Sequence, residues 1–177
     1  HWFGYRFLDI HIDFKESFAE RVALLKGLDA GVMKDIAESM PITEGVDRLM
    51  NVLKQCGYKI AILSGGFTYF GEFLQRKYGI DYVYANELEI DEHNKLTGRY
   101  LGDIVDGKRK AELLKLLAQV EKVNLAQTIA VGDGANDLPM ISEAGLGIAY
   151  HAKPRVQATA EQNITTIGLD GVLYFLG

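Results

Sequence analysis

Hydrophobic residues recur with two different periods along this chain, and each change of period marks a change of predicted structure. Between positions 14 and 53 the apolar residues lie three or four apart, which predicts amphipathic helices. The first helix carries its apolar stripe on Phe14, Phe18, Val22 and Leu25. A second helix is predicted over 31–40, before Pro41, and a third after a capping residue, Thr43.

From position 59 onward, short apolar runs alternate with helical segments. Strands are predicted over 59–63, 82–90, 96–105, 128–131, 146–150 and 164–167. Helices are predicted over 67–78, 108–120 and 136–144, after Lys153, and at the C-terminal end. Apart from one hairpin at 91–95, this alternation is typical of βαβ units. We therefore predict an α/β fold, a doubly wound, Rossmann-like parallel sheet with a small helical cap on its N-terminal side.

Composition limits the function classes without choosing among them. The 177 residues are 48% hydrophobic and 24% charged, which is ordinary globular usage and excludes a disordered or collagen-like chain. The net charge of −5 is spread along the chain, so we expect no nucleic-acid partner. Glycine is the unusual residue, with 19 copies against 3 prolines, and several of these glycines flank candidate site residues.

The single cysteine and the lack of a long apolar run bear on location. Cys56 alone forms neither an intrachain disulfide nor a cysteine zinc site, and we expect a small buried residue in a reducing, cytoplasmic protein. No run reaches the roughly 18 apolar residues of a membrane span, so we expect no membrane partner.

The carboxyl end of the first predicted strand carries Ser64, Gly65 and Gly66. In open α/β sheets, ligands bind outside the carboxyl ends of the strands. A hydroxyl and backbone N–H groups before a helix can bind an anion, and glycine lets an oxyanion approach the backbone closely. An ordinary strand-to-helix turn capped by serine would look the same, so both interpretations stay open.

A second predicted strand end carries two carboxylates. Asp133 directly follows an apolar strand, Asp137 comes four residues later, and Gly132 and Gly134 flank Asp133. Such a pair facing an anion site suits Mg²⁺, which takes one or two protein carboxylates and otherwise binds water and phosphate oxygens. The alternative is that both acids favour the positive end of the next helix, with Asn136 as its cap. That alternative accounts readily for one acidic residue, but not for two acidic residues together with two glycines.

Lys108, Arg109 and Lys110 begin a predicted helix, at the end where cations are unfavourable. A lysine held there can neutralise a bound phosphate. A solvated basic turn is an equal alternative, and the residues alone do not decide between the two.

These features, in this order, resemble the haloacid dehalogenase superfamily of phosphotransferases. Its second motif is a serine or threonine after an apolar strand, its third a lysine and its fourth an acidic pair, which match Ser64, Lys110, Asp133 and Asp137. Four strings narrow the resemblance to the phosphoserine phosphatase family: DFKESF at 13–18, ILSGGFT at 62–68, AVGDGAND at 130–137 and AYHAKP at 149–154. The similarity runs from about position 12 to the end of the chain.

The resemblance implies a set of site residues. The implied phosphate and substrate ligands in the core are Ser64, the Gly65 backbone, Lys110 and Asn136. Asp133 would ligate Mg²⁺, with Asp137 and Asn136 completing and orienting the metal site. All five side chains are therefore expected to act in catalysis.

The resemblance also implies a substrate and a cap. The helical segment 12–42 would cover an α/β core at 43–177, with Arg21 binding the substrate carboxylate and Phe14 lining the pocket. The implied reaction is the Mg²⁺-dependent hydrolysis of O-phosphoserine to serine and phosphate through an aspartyl-phosphate, a step in making serine. Oligomeric state stays open, with a homodimer as one alternative.

The family's first motif, Asp-x-Asp-x-Thr or Asp-x-Asp-x-Ser, does not occur in this sequence. In the family its first aspartate attacks phosphorus and its second is the general acid/base. The nearest strand-like stretch, 5–13, offers Asp9 and His11, but these would place the nucleophile against the cap helix. We expect 1–11 to be a leader or the remainder of an upstream segment, and the core to lack its first strand, beside the one that ends at Asp133.

Three functions therefore stay open. The first is the hydrolysis of phosphoserine. The second is hydrolysis of another small phosphorylated metabolite by the same chemistry. The third is a non-catalytic module that binds phosphate but has no nucleophile.

Overall fold

The computed structural model describes residues 14–176, so Asp9, His11 and the rest of 1–13 lie outside the described residues. The helices are α1 Phe14–Ala23, α2 Val32–Ser39, α3 Val46–Gln55, α4 Thr68–Tyr78, α5 Gly107–Val120, α6 Leu138–Glu143 and α7 Pro154–Thr159. The strands are β1 Ala61–Phe67, β2 Tyr82–Ile90, β3 Leu96–Leu101, β4 Ile129–Gly132, β5 Leu146–Tyr150 and β6 Gln162–Ile164. Three short 3₁₀ helices cover Leu125–Gln127, Ala135–Asp137 and Leu169–Phe175.

Two predictions about single residues, the cap of α3 and the burial of Cys56, are wrong. The residue that precedes α3 is Gly45, with φ +84°, and not Thr43, because the chain enters this helix through a left-handed conformation that glycine adopts without strain. Cys56 is exposed and not buried, since it follows the last residue of α3 at the surface. No helix of residues 14–176 is long and apolar enough to cross a membrane.

The strands form two three-stranded sheets. In the first, β1 runs parallel to β2, and β2 runs antiparallel to β3; in the second, β4, β5 and β6 are all parallel. Parallel neighbours joined through helices confirm the predicted doubly wound α/β class. The sheet is not continuous across the described part of the chain, because β1 and β4 each form an edge of their own sheet. That the core lacks a further strand beside β4 stays a prediction.

Both faces of the second sheet are covered, as its alternating side chains require. In β4, Ile129 and Val131 point to one face and Ala130 to the other. The first face packs on α3 and the C-terminal 3₁₀ helix through Leu49, Met50, Leu53 and Val172. The second face packs on α5 and α6 through Leu114, Met140 and Ile141. This packing fixes the starts of α5 and α6 near the carboxyl end of β4.

The helices of the predicted cap pack on a hairpin. Phe18, Val22 and Met33 of α1 and α2 share one buried cluster with Leu88 and Leu96 of the β2–β3 hairpin. The connection between the two helices is hydrogen-bonded to the hairpin, with Gly27 N donating to Leu96 O at 2.8 Å and Leu96 N donating to Leu28 O at 2.8 Å. The cap boundary at 42 stays a prediction, but the hairpin packs with the cap helices although it follows that boundary in sequence.

Candidate functional site

The carboxyl end of β1 bulges at the predicted anion-binding residues. Leu63 lies opposite Tyr84 and Phe67 lies opposite Asn86, so β1 advances four residues while β2 advances two. Ser64 and Gly65 are in this bulge. The Gly66 N–H donates to Ser64 Oγ at 2.9 Å. Because the oxygen accepts this bond, the hydroxyl hydrogen of Ser64 is available for another acceptor.

Lys110 and Asp137 form a buried ion pair. Lys110 Nζ lies 2.6 Å from Asp137 Oδ1, and the two side chains are only 6% and 9% exposed. The solvated-turn interpretation therefore fails for Lys110. A solvated turn describes the two preceding residues better, because Lys108 is exposed and Arg109 pairs with Glu112 near the surface.

The other oxygen of Asp137 organises the turn after β4. Asp137 Oδ2 accepts hydrogen bonds from the N–H groups of Asp133 and Gly134, each at 3.1 Å. Gly132 allows this, since a Cβ at that position would lie 2.4 Å from Asp137 Cβ. Both oxygens of Asp137 thus have protein partners. Its ligation of a metal stays a prediction that these contacts do not favour.

Asp133 is the acid that is available for a cation. Its side chain is exposed at the end of β4, and it forms no hydrogen bond or ion pair within residues 14–176. The same part of the chain contains no cluster of three or more His, Cys, Asp or Glu side chains that could hold a metal by itself. Mg²⁺ accepts a single protein carboxylate when water and phosphate fill its other positions. Asp133 therefore fits as one ligand of an incomplete protein ligand set.

The two strand ends and the start of α5 converge. A Cβ on Gly65 would lie 3.7 Å from Asn136 Nδ2, so the β1 bulge and the turn after β4 are in contact range. A Cβ on Gly107 would lie 2.7 Å from the Asn136 carbonyl oxygen, and so the first residue of α5 needs to be glycine to approach this turn. Ser64, Gly65, Lys110, Asp133, Asn136 and Asp137 are thus brought to one edge.

The cap helix α1 lies beside this edge. The Phe18 ring contacts Phe67, the residue after Gly66, with ring centroids 6.2 Å apart, and Tyr100 at 5.3 Å. Arg21 follows Phe18 by three residues, which places it on the same side of the helix, and it is half-buried. Phe14 is the first residue of α1. The helix that carries both predicted pocket residues is therefore anchored next to the bulge.

The string at 149–154 also reaches this edge, at the carboxyl end of β5. The Tyr150 and His151 rings stack with centroids 4.1 Å apart, and His151 Nε2 lies 2.7 Å from the Ile167 carbonyl oxygen. Burial raises the pKa of the Tyr150 hydroxyl above its ordinary value, with Glu44 and Asp170 adding to the effect, so Tyr150 is neutral at pH 7. These contacts shape the loop after β5.

Sequence reasoning missed Asn86, a polar residue that is 1% exposed in the middle of β2. Its Nδ2 donates to Gly65 O at 2.9 Å, and its Oδ1 accepts from Val105 N at 2.8 Å. The sequence feature that could have identified Asn86 is its position inside a predicted strand, where asparagine is uncommon.

Comparison with known proteins identifies the family that this chain resembles. A model of the haloacid dehalogenase-like hydrolase family matches residues 2–142. The phosphoserine phosphatase of Streptomyces coelicolor is 46% identical over 94% of this chain and 40% of its own length. That of Vibrio cholerae is 44% identical over 93% of this chain and 50% of its own length. That of Lactococcus lactis is 44% identical over 93% of this chain and 76% of its own length.

Solved structures agree with the sequence comparisons. A probable phosphoserine phosphatase from Vibrio cholerae, in an unliganded form, superposes with a TM-score of 0.89 at 44% identity, covering 93% of this chain and 51% of that one. A substrate-bound phosphoserine phosphatase complex gives a TM-score of 0.86 at 37% identity, covering 93% and 78%. The chain spans about half the length of the first curated relatives that it matches.

Proposed function

The chain belongs to the haloacid dehalogenase-like hydrolases, and on that premise we propose that the protein hydrolyses O-phosphoserine to serine and inorganic phosphate with Mg²⁺ as cofactor. The observation that carries the proposal is the buried Lys110, held by Asp137 beside the Ser64–Gly65 bulge. A buried cation, a serine hydroxyl and a glycine backbone at one sheet edge suit a phosphate group. The relatives named phosphoserine phosphatase support the choice of ester.

The residues of the chain have separable tasks in this reaction. Lys110 offsets the negative charge of the phosphate, and burial strengthens that interaction because the local dielectric constant is low. The Ser64 hydroxyl and the Gly65 backbone orient the phosphate, with Asn136 at van der Waals range from the bulge. Asp137 holds the Lys110 ammonium group in place through their ion pair. Asp133 would hold Mg²⁺, which when bound offsets phosphate charge and positions a phosphate oxygen.

An aspartyl-phosphate pathway also requires a carboxylate that attacks phosphorus. In the family this is the first motif, which this sequence does not contain. The described part of the chain therefore provides the phosphate-binding half of the reaction. The alternative is a module that binds phosphate without catalysis, and assays for phosphate binding and for phosphate release distinguish the two.

The proposed setting is the cytoplasm. The single cysteine, Cys56, is exposed and has no cysteine partner in the chain, as is usual for proteins of reducing compartments. The proposed product is free serine, so the reaction would supply an amino acid to the same compartment. A homodimer stays a prediction.

A substrate panel tests the proposed reaction. The protein expressed from its complete gene is assayed for phosphate release from phosphoserine, phosphothreonine, phosphotyrosine and an aryl phosphate, with Mg²⁺ or with a chelator. We expect Mg²⁺-dependent release, with phosphoserine favoured over phosphothreonine by about 10-fold or more, because one extra methyl group in a closed pocket costs about 1–3 kcal/mol. Preference for another ester would contradict phosphoserine as substrate. Phosphate binding without hydrolysis of any ester would establish the non-catalytic module.

Replacing the predicted carboxylate ligand tests the amino-acid specificity. We expect Arg21→Ala to raise KM for phosphoserine by about 10- to 100-fold, because a charge-assisted, bidentate contact contributes about 1.5–3 kcal/mol. KM for a neutral aryl phosphate should be unchanged, since that substrate has no carboxylate. Lys15→Ala, an exposed cation on the same helix, is the matched control. Equal effects of Arg21→Ala on both substrates would remove the carboxylate-binding role.

A further inference from the structure

We propose that Asn86 is a positioning residue of the phosphate site, which fixes the Ser64–Gly66 bulge to the segment that leads into α5. The inference rests on the proposed function, since it names the group that orients that site. Asn86 lies in β2 and is 1% exposed, so it does not itself reach a phosphate placed at the sheet edge.

The Asn86 side chain holds one end of a peptide group in the bulge. Its Nδ2 donates to Gly65 O at 2.9 Å, and this oxygen belongs to the peptide bond between Gly65 and Gly66. The N–H of the same peptide bond donates to Ser64 Oγ at 2.9 Å. The peptide plane is therefore fixed at both ends. Its orientation decides which lone pair of Ser64 Oγ is occupied, and hence where the hydroxyl hydrogen points.

The other end of Asn86 holds the approach to α5. Its Oδ1 accepts from Val105 N at 2.8 Å. The next residue, Asp106, caps α5 by accepting the Arg109 N–H at 2.8 Å, and Lys110 follows in the first turn. One amide thus connects the serine part of the site with the lysine part, across two segments that are far apart in sequence.

The position of Asn86 along β2 matches this task. Asn86 is the last β2 residue paired with β1, opposite Phe67, and the next residue, Glu87, is paired with Leu101 of β3. Beyond this point β2 no longer holds β1, and the Asn86 amide supplies the connection instead. An amide is suited to it because it offers a donor and an acceptor at once. Aspartate has the same shape but loses the donor, and leucine loses both groups.

Variants of Asn86 separate a positioning role from a purely structural one. We expect Asn86→Asp and Asn86→Ala to lower kcat/KM for phosphoserine by about 10- to 100-fold per folded molecule and to raise the inhibition constant of inorganic phosphate similarly. Ile80→Ala, a buried substitution outside the site, is the control for a general loss of stability. It should lower the melting temperature and leave kcat/KM per folded molecule unchanged.

A double-mutant cycle with Ser64→Ala supplies the decisive comparison. If Asn86 acts through the bulge, its replacement in the Ser64→Ala background should change kcat/KM and phosphate affinity by less than about 3-fold, because coupled residues are not additive. Effects that multiply independently of Ser64 would overturn the role of Asn86 in orienting the bulge. So would variants with wild-type phosphate affinity.

A measurement on the unmodified protein covers the case in which the variants do not fold. Inorganic phosphate should shift the NMR resonances of the Asn86 side-chain amide and of the Val105 N–H, although neither contacts phosphate. Saturating phosphate that leaves both unshifted would overturn the proposal. If the protein binds phosphate but hydrolyses no ester, the proposed function fails while the phosphate-affinity cycle still decides the role of Asn86. If it binds no phosphate, both fail.

Discussion

Asp133→Asn in the full-length protein is expected to lower the Mg²⁺-dependent rate of phosphoserine hydrolysis by about 10³-fold, because a metal that stabilises phosphate charge contributes several kcal/mol to the transition state. Asp133 is the exposed carboxylate at the end of β4, and the substitution removes its charge with almost no change of shape. Since the side chain forms no ion pair or hydrogen bond within residues 14–176, the melting temperature should change little.

The matched control for this variant is Asp35→Asn, which removes the same charge from an exposed site on α2. It should retain wild-type activity and the wild-type Mg²⁺ dependence. The measurement is kcat/KM over a series of Mg²⁺ concentrations, together with Mg²⁺ binding by calorimetry. An Asp133→Asn enzyme with the wild-type dependence on Mg²⁺ would rule out Asp133 as a metal ligand.

Lys110→Met is expected to lower both stability and activity, for two different reasons. It leaves Asp137 as a buried charge without its cation, and breaking a buried pair in this way costs about 3–5 kcal/mol of unfolding free energy. It also removes the cation proposed to bind phosphate, which should lower kcat/KM by about 10²- to 10³-fold. Thermal unfolding and initial rates measure the two effects separately.

The double variant Lys110→Met/Asp137→Asn distinguishes the two reasons. An amide at position 137 is uncharged and can still accept the N–H groups of Asp133 and Gly134 through its oxygen. We therefore expect the double variant to recover most of the lost stability but none of the lost activity. Recovery of activity together with stability would show that Lys110 serves only to hold the fold.

The fold class and the edge that carries the site follow from local patterns in the sequence. Short apolar runs between amphipathic helices predict a doubly wound sheet, and such sheets bind ligands at the carboxyl ends of their strands. Ser64 follows the apolar run of β1 and Asp133 lies directly after β4, so local order is enough to place both at that edge. The observed parallel pairs confirm the class.

The contacts that hold the site residues in place could not be predicted, because they join residues that are distant in sequence. Lys110 and Asp137 are 27 residues apart, and Asn86 and Gly65 are 21 apart. A periodicity within a helix or strand carries no information about which of these distant groups meet. The same holds for Asp137, since nothing near it in the sequence shows that a lysine from α5 reaches its side chain.

The packing of the cap has a similar explanation. The apolar stripe of α1 predicts a buried face but not the surface that covers it. In the structure that surface is the hairpin of β2 and β3, which belongs to the first sheet. The hairpin was predicted as an element, and its role in the cap depends on a tertiary contact.

Calorimetric titration with inorganic phosphate measures whether Ser64, Gly65 and Lys110 form one phosphate-binding site. It requires no nucleophile and no turnover. We expect the full-length protein to bind one phosphate per chain, and the folded Lys110→Met/Asp137→Asn variant to bind it about 10- to 100-fold more weakly, because a charged hydrogen-bond donor is lost. Equal phosphate affinity in the two folded proteins, or no binding by the unmodified one, would show that these residues do not form a phosphate site.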